Sequence, residues 1–392
     1  AVPMVVANGS FTLALKSDGT VWGWGLSGDH QLGNLKVTGD AQNTPYKIEI
    51  KENGKLSPLT NIKHIAVGDA HALAVNGDGR VYAWGLNRNG QLGSGYKITG
   101  SNPAYVLTAA NTPLENIKYV AAGNFSSYAI SADGKIYSWG SNIYGQLGNG
   151  QSDNGNMNNP EFVYLDSDKT QLLENVISVS AGDKHSVALA IEKNVAGDNK
   201  GVVYTWGSNE FGQIGRTDVG GKVSLPVKTV YTDDADDFSI IAIDAGCGAT
   251  STLQSTGYMW TYGLNNNGQL GNLDIDNTAV PVLVGKGEIE VTPSELTIRK
   301  GDTVEINPLL TSSATDAFNL LGLTGTGSTN VTYTSLNKDI LTVSESTPQT
   351  MTGVKAGKAN LKVTSGGVSA YVVVTVSGGS EDDKYTPMVA AG

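Results

Sequence analysis

One run of residues constrains the fold of this chain more than any other feature. Arg80–Gly93, RVYAWGLNRNGQLG, returns four more times with small changes. The copies are Thr20–Gly33 (TVWGWGLSGDHQLG), Lys135–Gly148 (KIYSWGSNIYGQLG), Val202–Gly215 (VVYTWGSNEFGQIG) and Tyr258–Gly271 (YMWTYGLNNNGQLG), 55 to 67 residues apart. A regular period with strand-forming residues in each copy points to propeller blades, units that bury their apolar faces only against one another.

Within a copy, Tyr82 and Trp84 lie two apart and so share one face of a strand. The same pair recurs as Trp22/Trp24, Tyr137/Trp139, Tyr204/Trp206 and Trp260/Tyr262, and all six tryptophans of the chain sit in it. Filling the wedge between blades is the expected use of the rings, each burying roughly 150–250 Å²; a carbohydrate-stacking platform is the rival. Upstream, Ile65–Gly68, Val120–Gly123, Val179–Gly182 and Ile243–Gly246 place small residues where strands crowd a propeller axis. A second strand follows (His71–Val75, Ser127–Ile130, His185–Leu189), and Asp18-Gly19, Asp78-Gly79 and Asp133-Gly134 then read as two-residue hairpin turns. A lone Asp-Gly lacks the further oxygens of a calcium loop.

The order A-x-G-x-x-H, D-G-x-V-Y-x-W-G, N-x-x-G-Q-L-G resembles the repeat of the regulator of chromosome condensation (RCC1) family. That resemblance implies a β-propeller over residues 1–285. Asn8 stands where other copies have Gly, His30 replaces the first Gly of GQLG, Tyr262 replaces Trp, and Glu192–Gly201 lengthens the fourth hairpin. The family's propellers usually have seven blades and five are encoded here. Either five close, or something outside these copies completes the ring.

From Glu288 to Ser377 the texture changes to alternating Thr/Val/Ile and polar residues. Period-two runs at this spacing predict a small β-sandwich, taken as residues 286–377. Val291, Pro293, Leu296, Gly301, Asp302, Asp339–Val343 and Gly353–Gly357 resemble the group-2 bacterial immunoglobulin-like domain, with Ser312–Asn330 inserted. The fold class is thus all-β, a propeller plus an Ig-like sandwich, and this second resemblance implies an extracellular, bacterial cell-surface setting. Residues 378–392 form a linker and a final stretch, Tyr385–Gly392, that aligns without a gap on residues 1–8. Val2–Val6 reads as a strand, so a preceding segment is expected. The tail implies either a longer array of the same units or a strand for addition to a blade, carried by Tyr385, Pro387, Met388 and Val389.

A net charge of −11 argues against nucleic acid, whose phosphates need a basic footprint, and against anionic membranes. It also disfavours the exchange-factor role at chromatin that the family's founder implies. No run is long enough to insert in a membrane. The single cysteine, Cys247, forms no disulfide framework or zinc site and is expected as a small buried residue. His71 and His185 occupy equivalent repeat positions, which predicts a structural hydrogen bond rather than a catalytic base. No nucleophile elbow, phosphate-binding glycine loop or H-E-x-x-H motif is present, so the chain is expected not to be an enzyme. Asp233, Asp234, Asp236 and Asp237 in Thr232–Phe238 are candidate calcium ligands, with a solvated acidic loop as the alternative and no other cofactor expected.

In an up-and-down blade the first and third connections share one end. That end carries Asp69, Asn124, Phe125, Asp183 and Lys184 from first connections, and Asp29, His30, Arg88, Tyr144, Glu210, Phe211 and Asn266 from third connections. These vary while the scaffold does not and form the candidate partner face, against the plainer reading of scaffold loops free to vary. Two functions follow. The leading one is a non-enzymatic structural unit of a bacterial surface protein or fibre, assembled with copies of itself or another surface protein. The other is a secreted binding module, adhesin or inhibitor, using the loop face.

Overall fold

The structure, a computed structural model, describes residues 1–33, 41–153, 155–194, 197–231, 239–255, 257–272, 274–284, 289–292, 295–306, 309–312, 332–344, 349–365 and 368–378. Its described residues hold strands and turns and no helix, and none long and apolar enough to cross a membrane. The chain divides into Ala1–Val284 and Gly285–Gly392.

Among the described residues the first unit contains five four-stranded antiparallel sheets, each with its strands in chain order. Blade 1 comprises Met4–Asn8, Phe11–Leu15, Val21–Leu26 and Ala41–Lys47, its first strand set two residues later than Val2–Val6. Blade 2 comprises Ile62–Val67, His71–Asn76, Val81–Gly85 and Gly100–Tyr105; blade 3, Ile117–Ala122, Ser126–Ser131, Ile136–Gly140 and Met157–Phe162. Blade 4 has Val176–Ala181, His185–Lys193, Asn199–Ser208 and Lys222–Lys228; blade 5 has Ile240–Ala245, Ala249–Gln254, Met259–Gly263 and Thr278–Leu283. A small hairpin, Glu49–Glu52 with Lys55–Pro58, sits between blades 1 and 2 and has no counterpart in the repeat.

The Asp-Gly turns differ from the two-residue expectation. Gly79 N–H donates to the Asn76 carbonyl and Asn76 N–H to the Arg80 carbonyl, which makes a three-residue loop. Gly79 has φ +76°, whereas Asp78 is absent from the residues at positive φ. A two-residue type I′ turn would need both residues there; a type I turn ending in a left-handed glycine needs only one. The same bond pair closes the turns at Lys16–Thr20 and Ser131–Lys135.

The core lies between blades. Leu13, Leu15, Val21 and Leu32 of blade 1 pack with Ile62, Ile65, Ala74 and Trp84 of blade 2, and similar clusters join blades 2 to 3, 3 to 4 and 4 to 5. Trp84, Trp139 and Trp206 are fully buried there, so these rings fill wedges and are not a stacking platform. Each is fixed by its polar edge: Nε1 of Trp84, Trp139 and Trp206 donates to the main-chain carbonyl of Gln31, Gln91 and Gln146 in the preceding blade's GQLG loop. The last glycine of that loop lets the ring lie flat on it. A Cβ on Gly93 would stand 2.9 Å from Trp139 Nε1, and one on Gly148 2.9 Å from Trp206 Nε1.

The five blades form an open run. Blades pack 1 on 2 through 4 on 5, and among the described residues no strand of blade 5 packs on blade 1 as consecutive blades pack. The second strands register this. Those of blades 2 and 3 are buried on both faces, as is the blade half of the longer one in blade 4. In blade 1 the odd-numbered residues Phe11, Leu13 and Leu15 are buried and Thr12 and Ala14 are not. In blade 5 the phase is opposite: Thr250, Thr252 and Gln254 are buried, and Ser251 and Leu253 are not.

In the second unit, Glu295–Arg299, Val368–Ser377, Gly357–Ser365 and Thr332–Ser335 form one sheet in that order, the first pair parallel. Thr303–Glu305, Thr350–Gly353 and Leu341–Val343 form another. Ile298, Leu341, Met351, Leu361 and Val374 share one core, the alternate residues of strands the period-two pattern predicts. Most of the insertion after Ser312, the aspartates at 233, 234, 236 and 237, and Tyr385–Gly392 lie outside the described residues. Among those described, no group of three His, Cys, Asp or Glu side chains is placed to hold a metal.

Candidate partner-binding face

Hydrogen bonds tie the first and third connections of each blade together at one end. Leu26, Leu86, Ser141, Ser208 and Leu264 N–H donate to the carbonyls of Ser10, Ala70, Phe125, Lys184 and Gly248. The constant residues of N-x-x-G-Q-L-G then brace the third connection from inside. Buried Asn142 accepts from Leu147 N–H at 3.0 Å and donates to Asn149 Oδ1 and the Gln151 carbonyl. Asn87, Asn209 and Asn265 accept from Leu92, Ile214 and Leu270 N–H in the same way. The glutamine side chain closes the other half: Oε1 of Gln31, Gln91, Gln146, Gln213 and Gln269 accepts from Asp29, Asn89, Tyr144, Phe211 and Asn267 N–H. With the constant side chains of blades 1 to 4 facing inward, the variable ones are held facing out.

Three candidates meet at blades 3 and 4. The Lys184 ammonium lies 4.9 Å from the centre of the Tyr144 ring and 3.8 Å from a Glu210 carboxylate oxygen. Lys222 adds a second ammonium 5.8 Å from that ring and pairs with Asp153. Phe211 faces blade 5, where a Cβ on Gly248 would lie 3.0 Å from its ring. Beside it Glu210, Phe211, Arg216 and Val219 line an open cleft of about 390 Å³ with Asn277 and Ala279 of blade 5. Asp183 accepts the Cys247 thiol at 2.9 Å. That thiol is exposed, not buried as expected: it occupies a first-connection position whose counterparts Asp69, Asn124 and Asp183 in blades 2 to 4 are only half-buried. The bond to Asp183, with some burial, raises its pKa.

The other candidates stand apart from this cluster. Asp69 N–H donates to the Asn124 carbonyl at 3.4 Å, and Phe125 contributes its carbonyl to the bracing. Asp29 is half-buried and Arg88 exposed. Asn266 bonds within its own loop to Asn267. His30 is exposed with φ +62°, holding without a glycine the turn that Gly90, Gly145, Gly212 and Gly268 hold elsewhere. Sequence reasoning missed Ile143, 44% exposed beside Tyr144, and Lys222 and Arg216, which join from fourth-strand and loop positions outside the repeated motif. Ile143 was findable, since it fills the first variable position of its loop.

The equivalent histidines lie inside the blades, not on this face. His71 Nε2 and Ser127 Oγ are 2.9 Å apart, and Ser127 donates its proton to the Gln91 carbonyl. His71 is therefore the neutral tautomer with its proton on Nε2. His185, Thr250 and Gln213 repeat the chain between blades 4 and 5. Burial lowers His71 to a pKa of about 3 and His185 to about 4.

Sheets repeated in chain order, aromatic wedges locked to GQLG carbonyls and a face of braced variable loops define a bladed β-propeller scaffold. The sequence model of the RCC1-like domain matches residues 1–300, and the chain belongs to that family. It is 29% identical over 276 residues to the ultraviolet-B receptor UVR8 of Arabidopsis thaliana, covering 69% of this chain and 54% of that protein. With the human probable E3 ubiquitin-protein ligase HERC6 it shares 33% identity over 229 residues, 56% of this chain and 20% of the relative. The chain thus spans about half of the first relative and a fifth of the second. Among solved structures, human WBSCR16 is similar at 19% identity, covering 73% of this chain and 83% of that one with a TM-score of 0.49. Prp20p from Saccharomyces cerevisiae follows at 21%, 73% and 78% coverage and 0.48.

Proposed function

We propose that this chain is a non-enzymatic protein-binding module whose loop face, centred on Tyr144, Lys184, Glu210 and Phe211, docks a protein partner. The observation carrying this reading is the Tyr144 ring flanked by Lys184 and Lys222 on a loop that buried Asn142 and Gln146 hold in place. Aromatic and charged side chains already fixed in position lose little entropy on binding, and anchors of this kind carry most of an interface's energy. The test compares partners captured by the wild type, by a Tyr144→Ala/Phe211→Ala double variant, and by a Lys16→Ala/Lys135→Ala control at the opposite end of the blades. Partners lost on the first variant and kept on the control support the reading; partners kept on both defeat it.

The structural-unit reading, with strand addition by Tyr385–Gly392, belongs to the same proposal as its second form. It rests on the alignment of that segment with residues 1–8. The bacterial cell-surface setting rests on the immunoglobulin-like resemblance of residues 286–377 alone. Relatives from a plant and from mammals lend it no support.

A further inference from the structure

Four inter-blade interfaces repeat one arrangement, and the molecule carries its two halves once more, unpaired, on blades 1 and 5. In the repeated form the leading blade supplies a GQLG loop and the following blade lays an aromatic ring on it. Gly33, Gly93, Gly148 and Gly215 each face the ring of Trp84, Trp139, Trp206 or Tyr262. Gln31, Gln91, Gln146 and Gln213 are accordingly buried.

Blade 5 has the leading half alone. Gln269 and Gly271 are exposed, a Cβ on Gly271 would meet only Val284, and Ser251, Leu253 and Met259 are half-bare where their counterparts in blades 2 to 4 are buried. Blade 1 has the following half alone. Trp24 is half-exposed, and its Nε1 makes no hydrogen bond among the described residues. Thr12 holds the place of Ser127, Ser186 and Thr250, whose hydroxyls donate to the preceding blade's glutamine carbonyl.

We propose that blade 5 of one copy docks on blade 1 of a second copy, head to tail, so that Trp24 of the second copy covers Gly271 of the first and donates to the Gln269 carbonyl of the first. Both halves reside on one chain and match an interface it already forms four times, so each contact between copies joins one face of each kind through contacts the sequence encodes. The contact is heterologous, each face meeting a different one, and it therefore propagates into rings or open chains instead of stopping at a symmetric dimer. It uses neither the loop face nor Tyr385–Gly392.

The test is sedimentation of the full chain over a concentration series, beside Thr12→Arg, which blocks only the blade 1 face, and Ser251→Arg, which blocks only the blade 5 face. Tryptophan emission and circular dichroism check that each variant is folded; Trp24→Arg and Leu253→Glu replace either that is not. The expected result is a mass that grows with concentration for the wild type and stays at one chain for each variant. An equimolar mixture of the two variants gives twice the single-chain mass and stops, because one intact face of each kind remains. A single-chain mass for the wild type at every concentration overturns the proposal, as does assembly that survives both substitutions. Assembly lost only on deleting Tyr385–Gly392 assigns it to the tail instead and overturns it equally.

Discussion

A residue repeated five times does not have the same energy five times. Trp139 is fully buried with its indole N–H paired, whereas Trp24 holds the same motif position half-exposed. Trp139→Ala removes a packed ring and leaves a cavity, at a cost of about 3–5 kcal/mol. Trp24→Ala removes surface already wet on one side and is expected to cost about 1 kcal/mol, from the smaller apolar area it takes out of contact. Denaturant titration of both variants at low protein concentration checks the contrast; equal losses would mean the end blade is covered in solution. The histidines give a pH dependence of definite sign. Burial depresses His71 to about 3 and His185 to about 4, below the unfolded value of about 6.5. Above pH 6.5 both states are neutral and nothing is lost. Between about pH 6.5 and 4 the unfolded chain takes protons that the native chain refuses, so stability falls on acidification by up to about 1.4 kcal/mol per pH unit for each histidine. His71→Phe, which copies Phe11 of blade 1, is expected to flatten that slope in urea titrations from pH 7 to 4.5 while losing about 1 kcal/mol of hydrogen bonding at pH 7. An unchanged slope would contradict a neutral buried His71.

At the scale of the element, the loop carrying Tyr144 is held on one side by Asn142. Asn142→Ala leaves the Leu147 N–H without its acceptor, and an unpaired buried donor costs about 1–3 kcal/mol. The expected outcome is faster hydrogen exchange at Leu147 and its neighbours, with the amides of blade 1 unchanged; uniform acceleration throughout would make Asn142 a determinant of the whole fold. The loops were legible in the sequence because constant Asn, Gly and Gln separate cleanly from the variable residues between them. Turn type was not. Asp-Gly signals a reversal, but whether one or two residues adopt positive φ depends on the strand ends, where Asn76 and Ser131 side chains accept bonds from Arg80 and Lys135 N–H. The hairpin at Glu49–Glu52 was likewise silent, since it occurs once and no repeat flags it.

At the scale of the molecule, the count of blades follows from counting motifs, and their order in space follows from their order in the chain, since sequential antiparallel strands need only short connections. Closure does not follow. Whether the fifth blade meets the first depends on small rotations summed across four interfaces, and no single motif encodes that sum. The end blades accordingly keep one face each half-covered, with opposite burial phases in Phe11–Leu15 and Ala249–Gln254. The sequence by itself determined the repeat, the aromatic wedges, the structural role of the histidines and the end of the blades on which variable residues stand, because local periodicity carries all four. Only the tertiary structure decided which variable residues converge, bringing Lys222 to Tyr144 from a different blade, and which copies of one motif are buried. Both depend on what lies across an interface, and the residues across an interface are far away in sequence.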